Sequence, residues 1–512
     1  MKTLRIILAL AFFLGISLLL TGLVPEAVRW LGWMPEMQFL PAVMALNTAI
    51  IIFLILITIC FGRIYCSSIC PLGVMQDGVF RVSVLTKRIR RKRKPFHYRK
   101  EHKWLRYGIW VVFVAALIAG IQPIVALLAP YSAYGRIVSS VFHFHKGPVL
   151  IAAGATLVLV VLLAWFTGRE YCNSICPVGT TLSFFSRFAL FRPVIDADKC
   201  RNCHICENNC KASCIDIANH WIDYSRCVDC FDCLGDCKFD ALKYRFFFKK
   251  AHASEEAVPF PQADHCVAPP SQAGPLEGKE YGAPENVSFL GCRPRADMAS
   301  GEGRASSNQG RRAFLAGTAM FLGATALKAQ SKKTDGGFAT VLPKQPLKRT
   351  TPVTPPGSKS VKDFYKRCTA CQLCISLCPN NVLRPSTDLE HLMQPEMGFE
   401  NGYCRPECTS CSQVCPSGAI IKITPEEKTQ YHIGTASVDR SLCVTERGVK
   451  CGNCARHCPV GAINMVRDEE RGISIPVVDE AVCIGCGACE NLCPSRPVSA
   501  ITVNGRHNHL DI

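Results

Sequence analysis

Cysteine spacing is the strongest chemical signal in this sequence. Between residues 200 and 237, eight cysteines form two copies of the pattern Cys-x2-Cys-x2-Cys-x3-Cys. Structural disulfides rarely use such spacing, because cysteines so close in sequence cannot all pair with good geometry. A zinc site needs four ligands, whereas these motifs offer more in overlapping sets. The pattern matches the bacterial two-cluster ferredoxin run and predicts ligands of [4Fe-4S] clusters.

In that run, three cysteines of one motif join the last cysteine of the other motif. One predicted cluster is therefore held by Cys200, Cys203, Cys206 and Cys237. The second is held by Cys227, Cys230, Cys233 and Cys210. Two details depart from the run: lysines, Lys211 and Lys238, stand where proline usually follows, and Cys214 is an alternative to Cys210.

A second array of sixteen cysteines lies in the C-terminal region, at residues 361–512. It divides into four groups, each followed by a proline, and fits four more [4Fe-4S] clusters without remainder. The groups are Cys368, Cys371, Cys374 and Cys378; Cys404, Cys408, Cys411 and Cys415; Cys443, Cys451, Cys454 and Cys458; and Cys483, Cys486, Cys489 and Cys493. Such domains are expected to be α+β, with clusters that replace much of the hydrophobic core.

Four further thiols belong to an internal repeat. Residues 62–73 and 168–179 are identical at nine of twelve positions and share the pattern Gly-Arg-x-Tyr-Cys-x3-Cys-Pro-x-Gly. The thiols are those of Cys66, Cys70, Cys172 and Cys176. One interpretation is that they bind a metal or redox group, or exchange electrons with quinol. The other is that Arg and Tyr anchor the membrane interface while Cys-Pro ends a helix.

Apolar stretches predict the elements that carry these motifs. Four of them, each near the ~20 residues that cross a bilayer, indicate an α-helical membrane domain over residues 1–190. They are residues 6–24, 39–61, 105–128 and 149–166. The basic run at 87–103 lies between the second and third stretch, and the positive-inside rule places it in the cytoplasm. The repeat motifs and the two-cluster domain at 196–250 are then expected on the cytoplasmic side.

The segment between the two cysteine arrays determines where the second array lies. Residues 251–310 are rich in Pro, Gly, Ala and Ser and predict a flexible linker. Arg311 and Arg312 then precede an apolar run to Leu327, so residues 311–329 resemble a twin-arginine signal or anchor. Cleavage near Ala326 is left open. Export would place residues 361–512 on the periplasmic side of the inner membrane.

The overall charge of +18 is unevenly distributed, with its densest run between two predicted spans. That position favours a membrane anchor over a nucleic-acid patch, and we expect no nucleic-acid partner. The sequence shows no nucleophile–base pair or phosphate-binding loop, so no catalytic residue is predicted. The expected chemistry is electron transfer.

Together these motifs resemble two known families. Residues 1–250 are similar to NapH-type membrane iron–sulfur proteins, which have four spans, two Cys-x3-Cys-Pro motifs and a cytoplasmic two-cluster domain. Residues 311–512 resemble the NapG type, an exported subunit with four [4Fe-4S] clusters. In that type the first and fourth motifs exchange their last cysteines, as do the second and third. The resemblance thus implies one cluster held by Cys368, Cys371, Cys374 and Cys493, and another held by Cys404, Cys408, Cys411 and Cys458.

The two families act together as a quinol dehydrogenase that feeds periplasmic nitrate reductase. The resemblance therefore implies six [4Fe-4S] clusters, quinol from the quinone pool as electron donor, and a periplasmic reductase or other redox protein as partner. Two alternatives remain open. One is an accessory protein of the copper-oxidase assembly type, and the other is a ferredoxin-linked oxidoreductase subunit with all clusters in the cytoplasm.

Overall fold

The computed structural model describes residues 2–24, 26–89, 97–143, 148–246, 342–469 and 472–510. The expected linker at 251–310, the signal-like segment at 311–329 and residues 90–96 of the basic run lie outside the described residues. A contiguous contact network joins residues 1–250 with residues 342–512 in one compact unit.

The described residues up to Ser186 are mainly helical, and hydrogen bonds within each helix satisfy the backbone groups of their long apolar runs. The helices are α1 (Lys2–Thr21), α2 (Ala27–Leu31), α3 (Trp33–Glu36), α4 (Phe39–Met44), α5 (Thr48–Phe61), α6 (Ile64–Ser68), α7 (Pro71–Ile89), α8 (Lys103–Ala119), α9 (Gln122–Leu128), α10 (Pro130–His143), α11 (Pro148–Thr167) and α12 (Pro177–Ser186). A π-helical turn, Tyr171–Ile175, precedes α12.

Within the described residues, α1 and α11 are long and apolar enough to cross a membrane, and α9 with α10 would add a third span bent by 80°. Their outward faces expose large apolar side chains such as Ile7 and Ile151. Helix α5 is apolar but has only 14 residues. The second and third predicted spans are not continuous helices. A left-handed Leu46 separates α4 from α5, and a left-handed Gly120 ends α8 before α9.

The first cluster domain, residues 191–246, follows α12 and is built from short elements. They are the antiparallel pair β1 (Phe191–Ile195) and β4 (Leu242–Phe246), the pair β2 (Ile215–Asp216) and β3 (Trp221–Ile222), and helices α13 (Ile205–Asn208) and α14 (Asp232–Asp236). Cysteines and a few aliphatic side chains make up its small core.

The second cluster domain, residues 342–510, has the same character on a larger scale. Its helices are α15 (Val361–Arg367), α16 (Leu373–Ser376), α17 (Ser410–Val414), α18 (Pro425–Lys428), α19 (Asn453–Arg456) and α20 (Ala488–Leu492). Its antiparallel strand pairs are β5 (Leu383–Pro385) with β6 (Pro395–Met397), β7 (Gly434–Val438) with β10 (Ile501–Gly505), and β8 (Ile463–Asp468) with β9 (Ile473–Val478). The first cysteine of each of its four groups precedes a short helix, as in the first domain.

Helix α5 runs from one cluster domain to the other. Close to its first turn, Gly418 of the second domain approaches the Cα of Ala45 closely enough that an added Cβ would lie 3.6 Å away. At its last residue, the Phe61 ring stacks on Phe191 of the first domain with centroids 5.5 Å apart. The helix length of about 21 Å therefore separates the two contacts.

Helices α8 and α11 make the same connection. In the first turn of α8, Arg106 donates to the carbonyl of Ser225 in the first domain at 3.1 Å. Past its end, Gln122 donates to the carbonyl of Lys366 in the second domain at 2.5 Å. At the start of α11, Val149 packs in a cluster with residues of the second domain. Beyond its end, the Arg169 amide donates to the carbonyl of Lys211 at 2.8 Å. The two cluster domains thus contact opposite ends of the helical region.

The second cluster domain packs tightly against α10. Ser132 donates to the carbonyl of Thr369 at 2.6 Å. One turn further, an added Cβ at Gly135 would lie 2.2 Å from the carbonyl oxygen of Cys371. No side chain fits there unless backbone moves, so glycine sets the distance between α10 and the first cysteine group.

We therefore expect Gly135→Ala to weaken this packing by about 1–3 kcal/mol, even though alanine favours an isolated helix. The apparent melting temperature of the detergent-purified protein should fall. Gly154→Ala in α11 is the matched control, because nothing lies within 4 Å of a Cβ at that helical position. Equal melting temperatures for the two variants would contradict the close approach.

Candidate iron–sulfur sites and a buried thiol quartet

The first cluster domain contains two cysteine-lined cavities. One is lined by Cys200, Cys203, Cys206 and Cys237. The other is lined by Cys227, Cys230 and Cys233 together with both Cys210 and Cys214. The structure therefore brings together the ligand sets that the ferredoxin spacing predicts. The sulfur atoms of Cys210 and Cys214 are 3.6 Å apart, so both stay candidates for the fourth ligand.

A shared backbone conformation shapes these motifs. The residue on either side of the second cysteine is left-handed in the first group, at Asn202 and His204, and in the group that follows, at Asp229 and Phe231. The second domain repeats the pattern at Ala370 and Gln372 and again at Gly485 and Gly487. Left-handed turns point successive amide groups into one concavity, which suits an anionic cluster. Each non-glycine residue held this way costs on the order of 1–3 kcal/mol.

In the second cluster domain, the ligand exchange differs from the one that the NapG resemblance implies. Cys378 lines one cavity with Cys404, Cys408 and Cys411. Burial raises the pKa of Cys368, and the nearby thiols of Cys371 and Cys415 raise it further. Cys415 therefore belongs with the first group and Cys378 with the second. The expected places of Cys493 and Cys458 in these two sets are wrong, because adjacent motifs pair here.

The third and fourth groups pair in the same way. Burial raises the pKa of Cys486 to about 12, and the nearby thiols of Cys404, Cys458 and Cys483 raise it further. Burial likewise raises the pKa of Cys454 to about 11, with added effects of Cys451 and Cys443. With Cys404 already placed in the second set, Cys458 joins Cys483 and Cys486, and by elimination we expect Cys493 to complete the set of Cys443, Cys451 and Cys454. The second cluster domain is thus two ferredoxin-like units in tandem.

The cysteine sets fit [4Fe-4S] clusters, because at least four cysteines line each of the three cavities and the flanking loops turn amide groups inward. Such a cluster supplies a site that takes up and releases one electron. Two tyrosine hydroxyls lie near the first group of the second domain, those of Tyr131 and Tyr365. Both are buried without a hydrogen-bond partner among the described residues.

The repeat motifs form a thiol quartet, here defined as Cys66, Cys70, Cys172 and Cys176. All four are at most 5% exposed, and they belong to one buried cluster. From the sequence, these thiols are expected at the cytoplasmic ends of predicted spans. The structure differs from this prediction, because the repeat motifs fold back into the helical region. Left-handed Gly62 and Gly168 turn the chain back into the helical region after α5 and α11. Gln38 of the hairpin after α1 then donates to the carbonyl of Ile69 at 3.3 Å.

A fully buried arginine from each repeat donates to a backbone carbonyl of the other repeat. Arg63 of the first repeat donates to the carbonyl of Cys172 at 3.0 Å, and its guanidinium lies 3.9 Å from the sulfur of Cys66. Arg169 of the second repeat donates to the carbonyl of Cys66 at 2.7 Å, and lies 3.9 Å from the sulfur of Cys172. Each arginine therefore links the sulfur atom of its own repeat to the backbone of the other repeat.

Asp77 in α7 connects this quartet to the first cluster domain. Its carboxylate accepts hydrogen bonds from Arg5 at 2.9 Å, from Arg169 at 2.8 Å and from Lys211 at 2.8 Å. Lys211 also pairs with Asp232 at 3.1 Å. Lysine at this position departs from the usual proline, and the structure gives the reason: it is the cation that links the first ferredoxin motif to α7.

Tyrosines connect the quartet to the second cluster domain. Tyr65, Tyr131 and the four thiols belong to one buried cluster, which also contains Cys371 of the second cluster domain. Both phenols are almost fully buried, at 2% exposure. The thiol quartet therefore lies between the two cluster domains, with these two rings on the side of the second.

Models of two protein families match parts of the chain. A model described as a 4Fe-4S binding domain matches residues 43–95 and 149–195, which contain both repeat motifs. A model described as a 4Fe-4S dicluster domain matches residues 448–496, which fall in the second tandem unit. No solved structure matches the chain significantly.

Several known proteins are similar to parts of the chain. The ferredoxin-type protein NapF of Escherichia coli is 32% identical over 178 residues, which are 35% of this chain and 99% of NapF. The methylamine utilization ferredoxin-type protein MauM of Methylobacillus flagellatus is 28% identical over 162 residues, or 30% of this chain and 69% of MauM. An uncharacterized protein of Methanocaldococcus jannaschii is 28% identical over 188 residues, or 37% of this chain and 66% of that protein. Fewer than two fifths of this chain are covered in each case.

Paired substitutions test the revised ligand sets. Cys368→Ser with Cys415→Ser should remove one cluster, or about four iron atoms per chain, because both residues serve the same site. Cys368→Ser with Cys493→Ser should remove two clusters, or about eight iron atoms. Iron analysis of the purified proteins distinguishes the two. The opposite order of losses would restore the exchange that the NapG resemblance implies.

Proposed function

This chain belongs to the ferredoxin-type [4Fe-4S] proteins, and from that premise we propose that it is a membrane quinol dehydrogenase. It takes electrons from quinol and passes them through [4Fe-4S] clusters, six of them in the two ferredoxin-type domains, to a periplasmic reductase. The observation that carries the proposal is the helical region with one cluster domain at each end, joined by α5, α8 and α11.

Sidedness follows from the charge pattern. The basic run at 87–103 keeps the ends of α7 and α8 in the cytoplasm. Arg106 near the start of α8 contacts the first cluster domain, so that domain is cytoplasmic as well. The second cluster domain contacts the other end of α8 through Gln122, and Arg311-Arg312 supplies the export signal that such a position requires.

A buried network of charged side chains joins the first cluster domain to the helical region, which favours a fixed junction over a flexible connection. Arg5, Arg169 and Lys211 are each at most 5% exposed and converge on Asp77. Truncating one member of such a network leaves the others uncompensated in a low-dielectric interior. The first cluster domain is therefore held at one distance from the helical region, as electron transfer between fixed sites requires.

Reduction by quinol tests the proposed activity. Clusters of the purified full-length protein should bleach in visible absorbance when a menaquinol or ubiquinol analogue is added without oxygen. A deletion strain should lose periplasmic reductase activity, and wild type should restore it whereas Cys368→Ala should not. Cys60→Ala is the control, because Cys60 lies in α5 outside every motif. Clusters that never become reduced by quinol would contradict the proposal.

A reporter tests sidedness separately. Alkaline phosphatase fused after Leu510 should be active, because it folds only after export. Arg311→Lys with Arg312→Lys should abolish that activity, since the twin-arginine pair is the proposed export signal. A β-galactosidase fusion at the same position should show the reverse pattern. Active β-galactosidase in the wild type would indicate that all clusters are cytoplasmic.

A further inference from the structure

We propose that the thiol quartet ligates an additional iron–sulfur cluster, which lies between the two cluster domains. Ligation follows from the residues of the quartet alone, and only its role as a relay rests on the proposed function. The four cysteines are reduced and buried, and they come in equal pairs from two copies of one motif. Four buried thiols in one place stay protonated unless they share a ligand, and three features of the surroundings indicate such a ligand.

The first reason is charge. Arg63 and Arg169 are both at most 1% exposed and lie within 3.9 Å of quartet sulfurs. Arg5, Arg169 and Lys211 meet the carboxylate of Asp77, and Asp232 gives Lys211 a second partner, so three cations share two carboxylates beside the quartet. Burying unpaired cations is strongly unfavourable. A cluster with four thiolate ligands carries net negative charge and supplies the missing anion.

The second reason is unused hydrogen-bonding capacity. Arg63 Nε, Arg169 Nη2 and the hydroxyl of Ser68 are buried without a hydrogen-bond partner among the described residues. Ser68 lies between the two cysteines of its own motif. Buried donors are almost always satisfied in native proteins. Sulfur atoms of a bound cluster are acceptors of the kind that these donors lack.

The third reason is that helix N-termini and N–H groups of the backbone and of side chains face the sulfur atoms of the quartet. Helices α7 and α12 each begin at the proline that follows the second cysteine of a motif. At α12, the amide of Gly179 donates to the sulfur of Cys176 at 3.4 Å. Gln76 in α7 donates to the sulfur of Cys172 at 3.3 Å. Helix N-termini and N–H donors of this kind lower the energy of thiolates.

The spacing favours a cluster over a single metal ion. Across the part of the chain that the structure describes, no three His, Cys, Asp or Glu side chains converge closely enough to hold one ion. The ferredoxin-type cysteine sets share that wider spacing and still surround cavities. The matched model over both motifs, described as a 4Fe-4S binding domain, agrees with the same ligand class.

The position gives the cluster its role. On one side, Arg63 donates to the carbonyl of Ser225, two residues before the first cysteine of the second ferredoxin motif. On the other side, Tyr65 and Tyr131 belong to the buried cluster that contains Cys371 and against which Cys415 packs. One electron that passes through the quartet oxidises one cluster domain and reduces the other. No bond forms or breaks, and no proton is needed.

Iron and acid-labile sulfide in the anaerobically purified full-length protein provide the test. Seven clusters require about 28 iron atoms per chain, or about 26 if the quartet holds a two-iron cluster, against about 24 for six. We expect the higher content. Full occupancy of the six ferredoxin-type sites, shown by an iron content of about 24, would overturn the proposal. Stoichiometric copper or zinc at the quartet would overturn it as well.

Variants then locate the additional iron. Cys66→Ser with Cys172→Ser should lower iron by about two to four atoms per chain and remove one electron paramagnetic resonance signal. Cys60→Ser should leave both unchanged. Unaltered iron in the quartet variant would contradict the assignment. If that variant fails to fold, the wild-type iron content still decides. A protein with the higher iron content that quinol does not reduce would retain the cluster and refute the proposed function.

Discussion

The whole assembly depends on the buried carboxylate of Asp77. It joins three segments that are far apart in the sequence: α1 through Arg5, the second repeat through Arg169, and the first cluster domain through Lys211. A carboxylate without these partners would be expelled from such an interior, and the cations without it would be equally unstable. The interaction therefore acts as an all-or-none condition for docking the first cluster domain on the helices.

Cysteine spacing predicted the ligand-bearing segments because iron–sulfur ligation imposes short, local patterns on the chain. It made no prediction of the ligand exchange in the second cluster domain. Which of two motifs approaches another is decided by the packing of loops such as those around Cys378 and Cys415, and spacing does not encode it. The resemblance to another protein type supplied the wrong partner for the same reason.

The helical region was predicted less completely. Apolar runs located the helices, but the breaks at Leu46 and Gly120 follow from single left-handed residues that hydropathy does not register. The return of the repeat motifs into the interior was also missed. One of the two interpretations had Cys-Pro end a helix, whereas Pro71 and Pro177 begin one, since proline is well suited to a first helical turn. The Gly-Arg pair at the start of each motif was the available signal, because a glycine can reverse the chain and an arginine needs a partner inside.

The crossed arginines have a consequence for how this architecture arose. Arg63 donates to a backbone carbonyl of the second repeat and Arg169 to a backbone carbonyl of the first, which is the relation that residues have across an isologous interface between two identical subunits. Neither half completes its own motif. A chain with a single copy would have to associate with a second copy to satisfy its arginine. The duplicated region therefore has the internal symmetry of a two-fold dimer within one polypeptide.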